Sequence, residues 1–245
     1  AGQETGTAGQ LARVMDASGA RHALVVGPNS GYGLDNRCLL DALAHGGGRL
    51  KGIAVVDNGA TLAELEALKA AGIVGVAWNV THYGVAHYVD AAGLLDRLAA
   101  LGLFVDVQVE HDQMVAMLPM LIDSGARILV DHCGRPTPSA GIRQPGFAAL
   151  LRLAASGRAF VKLSGIVKFS REPWPHADAQ PYVDALVDAF TVDRCMWASD
   201  WPYLRAGGKV DYGVLLKLVE QQFPDAAERH RLLWETPHRL FGFPD

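Results

Sequence analysis

An acid, a histidine and an arginine follow an apolar run in the segment ILVDHCGRP, residues 128–136. The run is typical of a buried strand, so Asp131, His132 and Arg135 come at its end. A neutral imidazole there can bind a metal, a protonated one can polarise a carbonyl oxygen, and a guanidinium can pair with a carboxylate. Asp131 and His132 can equally satisfy each other and the loop amides. The segment by itself leaves a catalytic and a structural role open.

A second acid ends the apolar run of the segment CMWASDWPY, residues 195–203. Asp200 stands there between Ser199 and Trp201, and Pro202 stops the strand just beyond it. A carboxylate at a strand end, beside an aromatic ring that limits water, is well placed to take a proton from an attacking water. The alternative role of Asp200 is to cap the following helix or loop.

Further polar residues that follow apolar runs are candidates for substrate contacts. Ser30 and Tyr32 lie in the segment GPNSGYG, whose glycines are also those of an ordinary turn. Asn79 follows another run, and Lys168 lies just beyond the segment FVKLSG, where its charge can hold a carboxylate. Alternation along that strand predicts that Lys162 points outward, away from such a site.

Two histidines, His82 and His87, lie beside two tyrosines in the segment THYGVAHY, residues 81–88. A separation of five residues in an irregular loop defines no common face for a metal, so an aromatic lid over a pocket is the favoured interpretation. His111 follows another strand and can be either a ligand or a helix cap.

Short apolar runs alternate with stretches of helical period along the whole chain. The predicted strands are 23–26, 50–56, 73–78, 103–109, 128–131, 159–164 and 195–199. The predicted helices are 8–18, 36–45, 62–71, 91–101, 113–124, 147–156, 181–190, 211–222 and 226–240. Such alternation predicts a parallel sheet with helices outside, either closed as a barrel or open as a doubly wound layer.

The ends of the predicted strands favour the barrel. An open sheet concentrates its reactive residues at one switch point, whereas here nearly every strand contributes. The polar residues that follow the strands are Asn29, Ser30, Asp57, Asn58, Asn79, Glu110, His111, Asp131, His132, Ser164 and Asp200.

Seven predicted strands are one short of a closed (β/α)₈ barrel, and the chain opens with a helix. We therefore expect an α/β fold, a (β/α)₈ TIM barrel lacking its first strand, in an N-terminally truncated chain. The alternative is that the strand count is wrong by one. At 245 residues and without a Pro/Ser-rich linker, the chain is expected to form a single domain over residues 1–245.

Composition excludes several classes of partner. The formal charge is −4 and the basic residues are scattered, which argues against nucleic acid. Three distant cysteines without a CxxC pair suggest neither a disulfide framework nor a zinc finger. No apolar run approaches the roughly 20 residues that span a bilayer, and the polar start is unlike a signal peptide. We expect a cytoplasmic protein that binds a small molecule and neither nucleic acid nor a membrane; a homo-oligomer is left open.

Six segments taken together resemble the amidohydrolase-related family that includes 2-pyrone-4,6-dicarboxylate lactonase and sugar lactonases. They are VVGPNSGYGLDNRCLLDAL, GRLKGIAVVD, GIVGVAWN, ILVDHCGRP, FVKLSG and WASDWP, in the family's order and at comparable spacing. The resemblance implies a (β/α)₈ barrel whose rim hydrolyses a lactone or related ester, with Asp200 as general base. It implies that His132, in the family's D-H-x-G-R-P motif, helps to polarise the scissile carbonyl. Arg135 belongs to the same motif, as a substrate contact or a structural residue.

Two departures from the family's pattern bear on activity. The family begins with a His-x-His pair on its first strand, and no such pair occurs here, where His22 stands alone. Many relatives carry an arginine where GIVGVAWN has Ala77, so we expect a substrate other than the pyrone dicarboxylate itself.

We therefore expect a hydrolase that opens a small carboxylated lactone by general-base activation of water. No tightly bound cofactor is expected, because a zinc ion would have only His132 and Asp200 as clear ligands, with no obvious third. A divalent metal such as zinc, held by these two residues, is the alternative. The alternatives are a zinc-dependent decarboxylase or hydratase on the same barrel, and a non-catalytic remnant that binds a carboxylated metabolite.

Overall fold

Seven parallel strands form one sheet in which each strand pairs with its neighbours in sequence. The computed structural model describes residues 6–204, 206 and 210–245, without the side chain of Ser30. The strands are β1 (Ala23–Val26), β2 (Leu50–Ala54), β3 (Ile73–Asn79), β4 (Phe104–Gln108), β5 (Arg127–Val130), β6 (Ala159–Leu163) and β7 (Cys195–Trp197). Because every pairing is parallel, the carboxyl ends of all these strands meet at one edge of the sheet.

Helices connect the strands and cover the outside of the sheet. The α-helices are α1 (Ala8–Ser18), α2 (Asn29–Tyr32), α3 (Arg37–His45), α4 (Leu62–Ala70), α5 (Val80–Tyr83), α6 (Ala92–Leu101), α7 (Gln113–Asp123), α8 (Pro145–Leu153), α9 (Ile166–Phe169), α10 (Gln180–Phe190), α11 (Tyr212–Gln222), α12 (Ala226–His230) and α13 (Thr236–Phe241). Short 3₁₀ turns lie at Val85–Tyr88, His132–Gly134, Pro138–Ala140, Ala154–Ser156, Ala177–Ala179 and Val192–Arg194, and a π turn at Arg231–Glu235.

The outer faces of the strands pack against these helices in one large apolar core. Val107, Val130 and Val161 come from adjacent strands and are buried with helix residues such as Leu98 and Leu186. Valine suits these positions because both faces of a parallel sheet are covered and the strands are apolar throughout.

The inner faces of the strands meet one another. Phe104, Leu129, Phe160 and Met196, from four consecutive strands, form a second buried cluster, and Leu24 of β1 packs against it. Side chains of the first and last strands share one cluster because the sheet curls round on itself. The expected parallel α/β sheet with helices outside is therefore confirmed, in a curled form consistent with a TIM barrel.

Two segments expected to be loops contain helical turns. The glycine-rich segment holds α2, and the histidine and tyrosine segment holds α5 and the 3₁₀ turn that follows it. The expected last helix is divided into α12, the π turn and α13, because Pro237 near the start of α13 has no amide hydrogen to donate. Among the described residues, no helix combines the length and the apolar character needed to cross a membrane.

Gly75 of β3 is expected to tolerate no larger residue. A Cβ at this position would lie 2.7 Å from the carbonyl oxygen of Phe104 and 2.8 Å from its Cβ. Because the backbone of β4 yields less easily than a side-chain tip, Gly75→Ala is expected to lower the free energy of unfolding by about 1–3 kcal/mol, measured by urea denaturation.

Gly93→Ala on the exposed face of α6 is the matched control. Its new Cβ would meet only the guanidinium tip of Arg97, at 3.4 Å. The control is expected to leave stability unchanged or to raise it by up to about 1 kcal/mol, because alanine favours a helix over glycine. Equal losses in the two variants would contradict the close approach of β3 and β4.

Candidate active site

His132 lies directly after β5, and groups on both sides orient its ring. Nδ1 is 2.9 Å from Ser164 Oγ, whereas Nε2 is 3.6 Å from Asp200 Oδ1 and 4.0 Å from Asp131 Oδ2. Because Nε2 faces two carboxylates, we assign the ring proton to Nε2, so that Nδ1 accepts a hydrogen bond from the Ser164 hydroxyl. Burial lowers the pKa of His132 despite the opposing effect of the carboxylates, which keeps the ring neutral at neutral pH.

Asp200 follows β7 and shares the carboxyl edge with His132. Its Oδ2 is 2.6 Å from Lys168 Nζ, while its Oδ1 faces Nε2 of His132. The side chains of Lys168 and Asp200 are 11% and 16% exposed, so this ion pair is largely shielded from water. The structure thus brings together the two residues expected to be catalytic, with Lys168 beside them.

The loop that carries His132 has an uncommon backbone. His132, Cys133, Gly134 and Arg135 all have positive φ, at 53°, 55°, 70° and 45°. A non-glycine residue in this region costs about 1–3 kcal/mol and persists only where surrounding structure imposes it. The amide of Gly134 donates to the carbonyl of Asp131, and that of Arg135 to the carbonyl of His132, which closes the turn.

Gly165, at the end of β6, makes room for the imidazole. It has a φ of 63°, and a Cβ there would lie 2.7 Å from His132 Cβ and 2.8 Å from His132 Cγ. A side chain at this position would displace His132. The glycine of the segment FVKLSG therefore has a steric role in the site.

A buried lysine lies between two acids inside the curled sheet. Lys162 Nζ is 2.6 Å from Asp106 Oδ2 and 2.8 Å from Asp131 Oδ1, and none of the three side chains is more than 9% exposed. Burial, with the charge of Asp131, raises the pKa of Asp106. Burial also opposes the ionised form of Asp131, but the Lys162 ammonium holds its pKa below the usual value. Burial opposes the charge of Lys162 too, yet the two carboxylates raise its pKa, so it stays protonated.

The expectation that Lys162 points outward is wrong. Val161 and Leu163 occupy the outer face of β6, in the core shared with the helices, so alternation places Lys162 inside. An ammonium on the outer face would be buried against helices without a partner, whereas inside it is neutralised. The available signal was Asp106, an acid within the apolar run FVDVQ of β4, which requires a buried partner.

Arg135 forms an ion pair with Glu110, the second residue after β4. Arg135 Nη1 is 3.3 Å from Glu110 Oε2, and both side chains are partly exposed at the carboxyl edge. Both residues were expected at this edge, but their pairing was not anticipated, because it depends on where two loops from adjacent strands meet.

The remaining residues expected to bind substrate are Asn79, Tyr32 and Ser30. Asn79 caps α5, since its Oδ1 accepts the His82 amide at 3.1 Å and the Thr81 hydroxyl at 2.7 Å. Tyr32 lies on α2 with its side chain 51% exposed. The side chain of Ser30 lies outside the described part of the chain. Their contacts with substrate stay predictions.

The other histidines near the carboxyl edge have aromatic or hydroxyl neighbours. The ring of Tyr83 has its centre 4.6 Å from that of His82 and 4.8 Å from that of His87. His111 Nδ1 is 3.2 Å from Thr137 Oγ1. The geometry supports the aromatic interpretation of residues 81–88 over a metal site.

The described side chains do not fit a tightly bound metal ion. Within residues 6–204, 206 and 210–245, no three His, Cys, Asp or Glu side chains converge in a way that could hold one. One of the two candidate ligands, Asp200, already has the Lys168 ammonium 2.6 Å away, and this positive charge repels a second cation.

Comparison with known proteins finds relatives that are named as hydrolases or isomerases of lactones. The sequence model of the amidohydrolase family matches residues 3–243. The 4-sulfomuconolactone hydrolase of Rhizobium radiobacter is 32% identical over 238 aligned residues, in a match that covers 94% of this chain and 78% of that protein. The D-galactarolactone isomerase of Agrobacterium fabrum is 28% identical over 232 residues, which are 94% of this chain and 79% of that protein.

Solved structures show the same likeness. A probable 2-pyrone-4,6-dicarboxylic acid hydrolase of Acinetobacter baumannii, with citric acid bound, has a TM-score of 0.89 and 29% identity to this chain. The match covers 97% of this chain and 89% of that one.

Removal of the Lys162 charge is expected to destabilise the fold in a pH-dependent way. Lys162→Met leaves two buried carboxylates without a cation, and we expect a loss of about 3–5 kcal/mol in the free energy of unfolding. Both acids then titrate with raised pKa values, so the folded state binds protons more readily than the unfolded state. The loss in the free energy of unfolding is therefore smaller at about pH 5 and larger at about pH 8, and urea denaturation at the two pH values measures it.

Lys217→Met is the matched control for this prediction. Lys217 pairs with Glu220 at 2.9 Å on the surface, and such pairs contribute only about 0–1 kcal/mol. If Lys162→Met cost no more than Lys217→Met at both pH values, the buried charge cluster would have no structural role.

Proposed function

The chain belongs to the amidohydrolase family, and we propose that it hydrolyses a small lactone that carries a carboxylate or a similar anionic group. The observation that carries the proposal is the approach of Asp200 Oδ1 to within 3.6 Å of His132 Nε2. At this separation, a base can take a proton from the attacking water while a hydrogen-bond donor binds the oxygen of the carbonyl group under attack. The names of the relatives support the choice of substrate, because they refer to a sulfonated lactone and to a pyrone dicarboxylic acid.

In the proposed reaction, the Nε2–H of His132 donates a hydrogen bond to the carbonyl oxygen of the lactone. A water oxygen bonds to the carbonyl carbon while Asp200 Oδ1 accepts one proton from that water. The charge that develops on the carbonyl oxygen is stabilised by His132. When the ring C–O bond breaks, Asp200 returns its proton to the departing ring oxygen, and the product is a hydroxy acid.

The surrounding residues orient the two reacting groups. Ser164 donates to Nδ1 and so keeps the Nε2–H directed into the mouth of the sheet. Lys168 engages Oδ2 of Asp200 and leaves Oδ1 free for water. In this proposal Lys168 also lies close enough to the reacting atoms to contact the anionic group of the substrate. Arg135, Ser30, Tyr32 and Asn79 are the other proposed substrate contacts.

Three finer expectations belong to the same proposal. A further strand between β1 and β7, which pair only with β2 and β6 in the described sheet, would close an eight-stranded barrel. The expected cytoplasmic location stays a prediction, and a homo-oligomer stays an alternative to a monomer. A zinc-dependent decarboxylase or hydratase is the rival activity, and elemental analysis of active protein separates it from a lactonase that needs no metal.

Asp200→Asn is expected to abolish hydrolysis while leaving the fold intact. An amide cannot accept the proton of the attacking water, so kcat/KM should fall by about 10²–10⁴-fold. The assay is a panel of aryl, sugar and pyrone lactones, with the product identified by NMR as a ring-opened hydroxy acid rather than an isomeric lactone. Circular dichroism would report the fold.

Asp90→Asn supplies the control, because it removes one carboxylate at an exposed position outside the proposed site. It should retain the rate of the unaltered protein. Turnover by Asp200→Asn at the control rate would remove Asp200 from the role of base.

A further inference from the structure

An arginine at the carboxyl edge of the sheet, Arg135, forms an ion pair with an acid of the same edge, Glu110. Arg135 Nη1 lies 3.3 Å from Glu110 Oε2, with the two side chains 24% and 30% exposed. At 3.3 Å, this closest nitrogen–oxygen distance is longer than the roughly 2.7–2.9 Å of a strong charge-assisted hydrogen bond. A partly exposed pair with so long a contact is weak, so another anion can replace the Glu110 carboxylate at Arg135.

The backbones on both sides of the pair are more firmly held than the side chains. The Glu110 amide donates to Gln113 Oε1 at 3.0 Å, and the Arg135 amide donates to the His132 carbonyl at 2.9 Å. Separation of Glu110 from Arg135 therefore needs only side-chain rotation. Since Arg135 is three residues from His132 in one tight turn, its long side chain can reach the anionic group of a molecule bound at His132.

We propose that Glu110 is a specificity-determining residue that competes with the anionic group of the substrate for Arg135. The inference rests on the proposed lactone hydrolysis and adds what selects among lactones. An anionic lactone must displace the Glu110 carboxylate and is also repelled by it, whereas an uncharged lactone meets neither effect. Glu110 thus acts through Arg135 and sets how strongly the site prefers a charged ring over a neutral one.

A purely structural salt bridge would behave differently. If Glu110 only held Arg135 in place, its neutralisation would loosen the loop that carries His132, and hydrolysis of charged and neutral lactones would decline together. Competition instead predicts that the preference for the charged lactone rises when Glu110 loses its charge. Competition therefore predicts that Glu110 neutralisation raises the ratio of kcat/KM for the charged lactone to that for the neutral lactone, whereas a purely structural role predicts no rise in this ratio.

The test compares Glu110→Gln with the unaltered protein on two lactones of the same ring, one with a carboxylate and one with a carboxamide at the same carbon. We expect the ratio of kcat/KM for the carboxylate to that for the carboxamide to rise about three- to fivefold, mainly through a lower KM for the carboxylate. Glu66→Gln on the exposed face of α4 changes the net charge equally and should leave the ratio unchanged.

Arg135→Gln, alone and combined with Glu110→Gln, completes a double-mutant cycle. Once Arg135 is absent, neutralising Glu110 should raise the ratio by less, because only the repulsion between Glu110 and the anion is then relieved. An unchanged or lower ratio in Glu110→Gln, or an equal rise without Arg135, would overturn the competition. Failure of the unaltered protein to open either lactone would overturn the proposed function and this inference with it, and is distinguished by the absence of any turnover.

Discussion

The ammonium of Lys162 between Asp106 and Asp131 is the interaction on which the candidate site depends. Two carboxylates buried side by side inside a curled sheet repel each other, and only a cation at 2.6 Å and 2.8 Å makes both tolerable. The cluster links β4, β5 and β6 across their inner faces. Asp131 also leads directly into the turn of His132, so the ion pair that stabilises the sheet interior also holds the start of the loop that carries His132.

The turn after β5 fixes the position of the His132 imidazole. Consecutive left-handed residues bend the chain sharply, and the missing side chain of Gly165 gives the ring space against the end of β6. Ser164 then selects the orientation of the ring through Nδ1. Each step uses a neighbouring strand, which is why a parallel sheet with all carboxyl ends at one edge suits this chemistry.

Paired charges recur through the site. Lys162 has Asp106 and Asp131, Lys168 has Asp200, and Arg135 has Glu110. These pairs differ in burial, and burial separates their roles. The deepest supports the fold. In the proposed function, the shielded pair at Asp200 orients a base, and the partly exposed pair at Arg135 exchanges its acid for the anion of a substrate.

The sequence by itself determined the alternation of strands and helices and the appearance of His132 and Asp200 at one edge, because residues that follow parallel strands share that edge whatever the details of packing. It also placed Arg135, Glu110 and Lys168 there. Tertiary structure decided that Lys162 points inward, since apolar residues on both faces of a buried parallel strand do not distinguish the faces; Asp106 in β4 signalled that some buried cation was needed but not which one. It likewise decided which acid pairs with which base, because such pairing depends on register and loop position between separate strands.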